Sequence, residues 1–151
     1  MRIARDGTWF HQGGPINRPE MVRLFSTILR REGADHFLVT PVEKWRITVD
    51  DAPFVAVDVE AEGQGPDQRL TFLTNVGDTV TAGPEAPIRV EIAAPGGEPT
   101  PYVMVRDGLE ARIDRKSFYR LIDLGAHHDG WFGLWSQAAF FKITPSQEIT
   151  G

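Results

Sequence analysis

His127-His128-Asp129 sets two imidazoles and a carboxylate in consecutive positions, residue types that hold a divalent metal or move a proton. Adjacent residues on one backbone seldom point at one ion. The remaining histidines, His11 and His36, stand at no regular offset from the pair. The segment therefore reads as a solvated loop after a helix, and no metal site is expected. Nucleophilic chemistry has no better footing. Ser26, Ser117, Ser136 and Ser146 lie in no G-x-S-x-G elbow, and the chain has no cysteine to serve as thiolate, disulfide partner or zinc ligand. Asp50/Asp51 and Glu60/Glu62 read as turn and solvated-strand residues. Neither a catalytic residue nor a cofactor is expected.

Binding chemistry is better represented. Gly13-Gly14-Pro15 precedes a helical pattern, and Arg18 and Arg115 stand at the starts of the two helices, where backbone amides attract anions. No phosphate-loop or dinucleotide-fold glycine pattern accompanies them, so a bend and surface charge compete with that reading. Two further segments put hydrogen-bonding groups on rigid strands. Leu38 to Lys44 carries Thr40, Glu43 and Lys44 around a proline-fixed bend, and Thr71 to Asp78 ends a strand with Thr74, Asn75 and Asp78. Trp9, Trp45, Trp131 and Trp135 suit the core, and one of them is placed to stack on a base or sugar.

These groups sit on a chain of ordinary globular composition, 151 residues with 41% hydrophobic and 25% charged. A net charge of −5 argues against a partner that is a nucleic-acid polymer. No apolar run reaches the length of a membrane span, and no secretory leader pattern opens the chain, so a cytoplasmic location is expected.

Periodicity supplies the elements that must position the groups. Residues 3–11 read as a hairpin turning at Asp6-Gly7. Asn17 and Glu20 form a capping-box pattern ahead of an amphipathic helix over 18–32, with Met21, Leu24, Phe25, Ile28 and Leu29 as its apolar face and Gly33 as its stop. Strands follow at 36–40, 45–50, 54–60, 69–75, 79–81 and 88–92, with Val55, Val57 and Val59 on one face and Leu70, Phe72 and Thr74 on another. Pro95-Gly96-Gly97-Glu98-Pro99 is linker-like. A hairpin over 101–113, a helix capped by Asp114 and stopped by Gly125, and extended segments over 130–137 and 138–143 complete an α+β chain of eight to ten mainly antiparallel strands.

The chain also repeats itself. Arg5-Asp6-Gly7, Ile16-Asn17-Arg18, Leu24-Phe25 and Trp45-Arg46-Ile47 are answered by Arg106-Asp107-Gly108, Ile113-Asp114-Arg115, Leu121-Ile122 and Phe141-Lys142-Ile143. A spaced match of this kind predicts a duplicated hairpin–helix–hairpin unit whose copies pack together, with a ligand seam between them. The division expected is 1–50 and 51–151.

The runs Asp6-Gly7-Thr8-Trp9-Phe10, Leu38-Val39-Thr40-Pro41-Val42-Glu43-Lys44, Thr74-Asn75-Val76-Gly77-Asp78 and Arg106-Asp107-Gly108-Leu109 resemble the bacterial domain of unknown function 1285 family. Members of that family usually carry additional residues ahead of the first Asp-Gly hairpin, where this sequence has Met1 to Ala4 before Arg5-Asp6-Gly7. The resemblance implies a duplicated α+β core whose C-terminal part is superficially pleckstrin-homology-like. It also implies a nucleotide-like ligand at the interface of the halves and a role in signal transduction or stress response. On that basis a non-catalytic ligand-sensing module is expected, lined by Thr40, Glu43, Lys44, Asn75, Tyr102, Arg106 and Trp135. Lys44 and Arg106 would meet phosphate, Glu43 a sugar hydroxyl, and Tyr102 or Trp135 a ring. Where the copies diverge, Pro41 to Lys44 against Gln137 to Phe140, the first keeps charge, so it is expected to supply most polar contacts. A protein-interaction module, and a small hydrolase or isomerase, are the alternatives. Oligomeric state stays open.

Overall fold

The computed structural model describes residues 1–92 and 97–148. Part of the expected linker, residues 95 and 96, lies outside them. The first sheet contains β1 (Arg2–Ile3), β2 (Trp9–His11), β3 (Gly14–Pro15), β4 (Leu29–Glu32), β5 (Asp35–Val39) and β6 (Lys44–Val49) in the order β3-β2-β1-β6-β5-β4. The second contains β7 (Phe54–Glu62), β8 (Arg69–Thr74), β9 (Thr79–Thr81), β10 (Ile88–Ile92), β11 (Pro99–Arg106) and β12 (Leu109–Ile113) in the order β10-β11-β12-β7-β8-β9. A third joins β13 (Ala126–His128), β14 (Trp131–Ser136) and β15 (Ala139–Pro145). Helix α1 (Pro19–Thr27) precedes β4, and α2 (Arg115–Asp123) precedes β13. The α+β class and the antiparallel bias both hold, with β1–β6 and β7–β12 as the parallel pairs among the described strands.

Local chemistry explains α2. Asp114 is its N-cap, and its carboxylate accepts from the Ser117 amide at 2.9 Å. Phe118 and Leu121 face inward, and the Gly125 amide closes the end on the Ile122 carbonyl at 3.1 Å.

Helix α1 departs from expectation. Its N-cap is Arg18 without any side-chain cap bond, because Pro19 fills the first turn and brings no amide that needs a partner. The Asn17–Glu20 capping box is not made. The helix ends at Thr27, and Leu29 to Glu32 instead pair antiparallel with β5, Leu29 opposite Leu38. The inward face shifts with it. Ser26 is buried while Leu24 is 57% exposed, and Val22 and Phe25 pack on the core.

Two smaller differences have simple causes. A β-bulge between Ala56 and Asp58 slips the alternation of β7, so Phe54, Ala56 and Val59 enter the core rather than a Val55-Val57-Val59 face. The two Arg-Asp-Gly turns also differ. Asp107 and Gly108 both take positive φ (46° and 80°), as a tight two-residue hairpin requires. At the first hairpin the loop is longer: Ala4 donates to the Thr8 carbonyl at 2.9 Å, and the Asp6 carboxylate accepts from the Thr8 amide at 3.0 Å. The described strands number fifteen, above the eight to ten expected, because several span only two or three residues and β4 replaces helix.

One continuous apolar cluster ties the chain together. Ile3, Trp9, Leu29, Leu38 and Ile47 from the first fifty residues pack with Phe54, Phe72, Leu109, Leu121 and Leu134 from the remainder. Among the described residues no helix is long and apolar enough to cross a membrane.

Candidate ligand-binding site

A cavity of about 650 Å³ opens where the first fifty residues meet the Thr74–Asp78 turn. Its polar side chains are Thr8, Asn17, Glu20 and Arg23 from one side and Asn75 from the other, above an apolar floor that includes Trp9, Ile16 and Val76. The volume lies in the range of small-molecule sites, and the mix of apolar wall with a few polar groups is typical of them. Asn17 and Glu20 are there because α1 starts without them as caps. One turn further along, the Arg23 guanidinium donates to the Val76 carbonyl at 2.5 Å and lies 3.5 Å from the Asp78 carboxylate.

Asn75 holds the opposite wall. Its Oδ1 accepts from the Val55 amide at 3.0 Å and its Nδ2 donates to the Gly7 carbonyl at 3.3 Å. Gly7, at φ 91°, is needed for this approach: a Cβ there would lie 2.6 Å from Asn75 Nδ2. The turn below is closed by Thr74, whose hydroxyl accepts from the Asp78 amide at 3.1 Å.

Two family models describe the chain. Residues 1–52 match the N-terminal domain of DUF1285, a domain of unknown function, and residues 53–143 match the DUF1285 C-terminal domain. The chain belongs to the DUF1285 family. It is similar to the crystal structure of a DUF1285 family protein from Silicibacter pomeroyi DSS-3, with 65% identity and a TM-score of 0.95 over 100% of this chain and 82% of that one. It is also similar to a DUF1285 family protein from Shewanella baltica OS155, with 26% identity and a TM-score of 0.63 over 81% of this chain and 89% of that one. No curated protein matches the chain.

Of the seven residues expected to line a site in this DUF1285 chain, Asn75 lines the cavity and the other six lie outside its lining. Thr40 closes the β5–β6 hairpin, its hydroxyl accepting from the Glu43 amide at 3.0 Å, and the Glu43 side chain is exposed. Lys44 pairs with Glu32 and lies 4.5 Å from the Phe37 ring centroid. The Tyr102 hydroxyl donates to Asp51 at 2.7 Å under the Arg89 guanidinium. Burial first, and then that bond to Asp51, push the Tyr102 phenol up to about 12. A phenol so placed stays neutral at physiological pH and acts as a structural donor. Arg106 donates to the Ser26 carbonyl at 2.6 Å. Trp135 packs against His128 and Phe140 at 4.8 and 5.0 Å between centroids.

The Gln137 turn facing Gly83 is anchored differently from the Thr40 turn. Ser136, fully buried, donates to the Ala82 carbonyl at 2.7 Å and accepts from the Leu70 amide at 3.0 Å. The amides of Gln137 and Ala138 donate to Gln68 and Pro66 at 2.9 Å each.

His127-His128-Asp129 is not the loop expected: both histidines belong to β13. They face opposite ways, as neighbours in a strand must. His127 Nδ1 lies 2.8 Å from the Ser146 hydroxyl, while His128 Nε2 pairs with Asp129 at 3.1 Å. Among the described residues there is no group of three or more side chains arranged to hold a metal.

Sequence reasoning missed Thr8, Asn17, Glu20 and Arg23 as a set. The available signal was Pro19, which makes a capping box redundant and frees Asn17 and Glu20 for other work.

Proposed function

We propose that this protein is a non-catalytic ligand-sensing or regulatory module, binding a small polar, nucleotide-like ligand between its two halves in signal transduction or stress response. The observation that carries the reading is the 650 Å³ cavity bounded by Arg23, Glu20 and Asn17 on one side and Asn75 on the other. Arg23 meets the ligand's anionic group, while Asn17, Glu20 and Asn75 supply directional hydrogen bonds. Four of these five polar lining side chains, counting Thr8, come from the first half. Thr40, Lys44, Tyr102, Arg106 and Trp135 keep the intramolecular partners described above, and Glu43 stays exposed at the β5–β6 hairpin.

The halves of this reading are 1–50 and 51–151, and a duplication underlies them. In its support, β1–β2, α1 and β4–β5–β6 run in the same element order as β11–β12, α2 and β13–β14–β15. The six-stranded sheet of the second half accords with a superficial pleckstrin-homology-like character. Donors span the two halves: Arg31 to the Gly108 carbonyl at 2.8 Å, Arg106 to Ser26, and Arg112 to the Arg5 carbonyl at 2.9 Å. A ligand engaging Arg23 would act on this same class of bond.

Calorimetric titration with AMP, ADP and ATP tests the reading. Wild type should bind one of them, and Arg23→Ala and Asn75→Ala should each weaken binding by about tenfold or more, the scale of one lost hydrogen bond to a charged or buried partner. Lys44→Ala should leave affinity unchanged. Absence of nucleotide binding up to millimolar levels ends the nucleotide reading. A second reading, a protein-interaction module, is favoured by the β5–β6 hairpin, where Val42 is 88% and Trp45 is 47% exposed.

A further inference from the structure

Charge is scarce in the seam cavity, and it is placed unevenly. Among the described residues, Arg23 is the single cation that lines it. Its Nη1 is anchored on the Val76 carbonyl at 2.5 Å, an approach that Gly77 permits, since a Cβ there would lie 2.9 Å from that nitrogen. Nη2 lies 3.5 Å from the Asp78 carboxylate, beyond the usual hydrogen-bond range, and about half of the Arg23 side chain is exposed. A guanidinium has several N–H donors, and Val76 occupies one of them. Glu20 precedes Arg23 by three residues on α1, a spacing at which opposite charges ordinarily pair. The guanidinium turns to Val76 and Asp78 instead, and Glu20 has no ion-pair partner among the described residues. The cavity thus presents one anchored cation with open donors, next to a free carboxylate and a loosely paired one.

We propose that the seam cavity selects a ligand with a single phosphate, a nucleoside monophosphate rather than a di- or triphosphate, and that Glu20 and Asp78 set this limit. The inference rests on the nucleotide reading of the cavity and narrows it. The phosphate takes the open donors of Arg23 and replaces Asp78 as its ionic partner, a pairing that suits the planar donor fork of a guanidinium. Glu20 accepts from a sugar hydroxyl, which a carboxylate can hold without meeting like charge. A second or third phosphate finds no further lining cation and brings its charge toward Glu20 or Asp78. Uncompensated like charge of this kind rejects a ligand more effectively than a missing contact does. The volume, about 650 Å³, lies within the range of whole small-molecule sites, so charge rather than size sets the limit.

Calorimetric titration of AMP, ADP and ATP into wild type, Glu20→Gln and Asp78→Asn tests the limit, at matched ionic strength and without divalent cations. Wild type should bind AMP about tenfold more tightly than ATP, with ADP between them. Each variant should narrow that ratio about threefold or more by tightening ATP, because Gln and Asn keep an acceptor oxygen and lose only the charge. Both side chains are at least partly exposed, so the fold should survive, and the two variants test the limit independently. ATP bound by wild type as tightly as AMP overturns the single-phosphate limit while the nucleotide reading stands. An unchanged ratio in both variants overturns the role of the two carboxylates. No binding of any of the three to wild type ends this inference together with the reading it rests on.

Discussion

Arg106 and Ser26, eighty residues apart, meet at 2.6 Å, where a guanidinium nitrogen donates to the carbonyl oxygen in the last turn of α1. A second nitrogen of the same group reaches the Leu29 carbonyl at 3.4 Å. Carbonyls at a helix C-terminus have no intrahelical donor, and a cation is the favoured substitute. The hairpin of the second half thus caps the helix of the first, at the point where that helix gives way to β4.

Arg106→Ala should therefore destabilise the protein by roughly 2 kcal/mol, the cost of losing charged hydrogen bonds to partly buried carbonyls. Urea unfolding measures this directly. Its nucleotide affinity, extrapolated to fully folded protein, should match wild type. A stable variant with lost affinity would instead return Arg106 to the ligand.

Gly7→Ala and Gly13→Ala form a controlled pair. Both glycines have positive φ, 91° and 81°, so each substitution carries a backbone penalty of about 1–2 kcal/mol. Only at Gly7 would the new methyl meet Asn75 Nδ2 at 2.6 Å, whereas Gly13 has nothing within 4 Å. Gly7→Ala should cost at least about 1 kcal/mol more than Gly13→Ala. Equal losses would mean that the Gly7–Asn75 approach does not constrain the cavity wall.

Ala138→Gly should stabilise. Ala138 has φ 66° next to Gln137 at φ 49°, a conformation held by the amide bonds to Gln68 and Pro66. Relief of about 1–2 kcal/mol of left-handed strain outweighs the extra unfolded-state entropy of glycine, about 0.5–1 kcal/mol, leaving a gain of about 0.5–1 kcal/mol. A higher midpoint in denaturant at unchanged slope is the expected outcome.

His36 gives a pH dependence of defined sign. Burial first, then the Arg31 charge, hold its imidazole below the ordinary value of 6.5, against a smaller opposing pull from Asp35. Its Nε2 is buried without a partner. The unfolded chain takes up the proton more readily than the folded one, so this contribution is complete above about pH 6.5 and is lost as pH falls below it. His36→Phe should flatten the decline of unfolding temperature over that acid window. An unchanged pH profile would assign the decline to other groups.

Much of the fold was legible residue by residue, and the failures share a cause. Asp114 before Ser117, the Asp107-Gly108 turn, and the alternation of Leu70, Phe72 and Thr74 are satisfied within a few residues, and each appears in the fold as read. Ile28 and Leu29 continue the helical spacing of α1 equally well, but Leu29 is worth more buried opposite Leu38. The β7 bulge has no local signature either. At the site, Asn75 was legible because it ends a strand at a turn. Asn17 and Glu20 were read as caps, because their position across from Asn75 depends on packing.

Sequence alone determined the α+β class, the capped start of α2, most strand positions and the family resemblance, since these rest on periodicity and on side chains bonding to nearby backbone. Tertiary structure decided where α1 ends, which way Asn17, Glu20 and Arg23 face, and how arginines from each half reach carbonyls of the other. Those outcomes depend on contacts between residues far apart in the chain, and their energies exceed the few tenths of a kcal/mol by which local preferences differ.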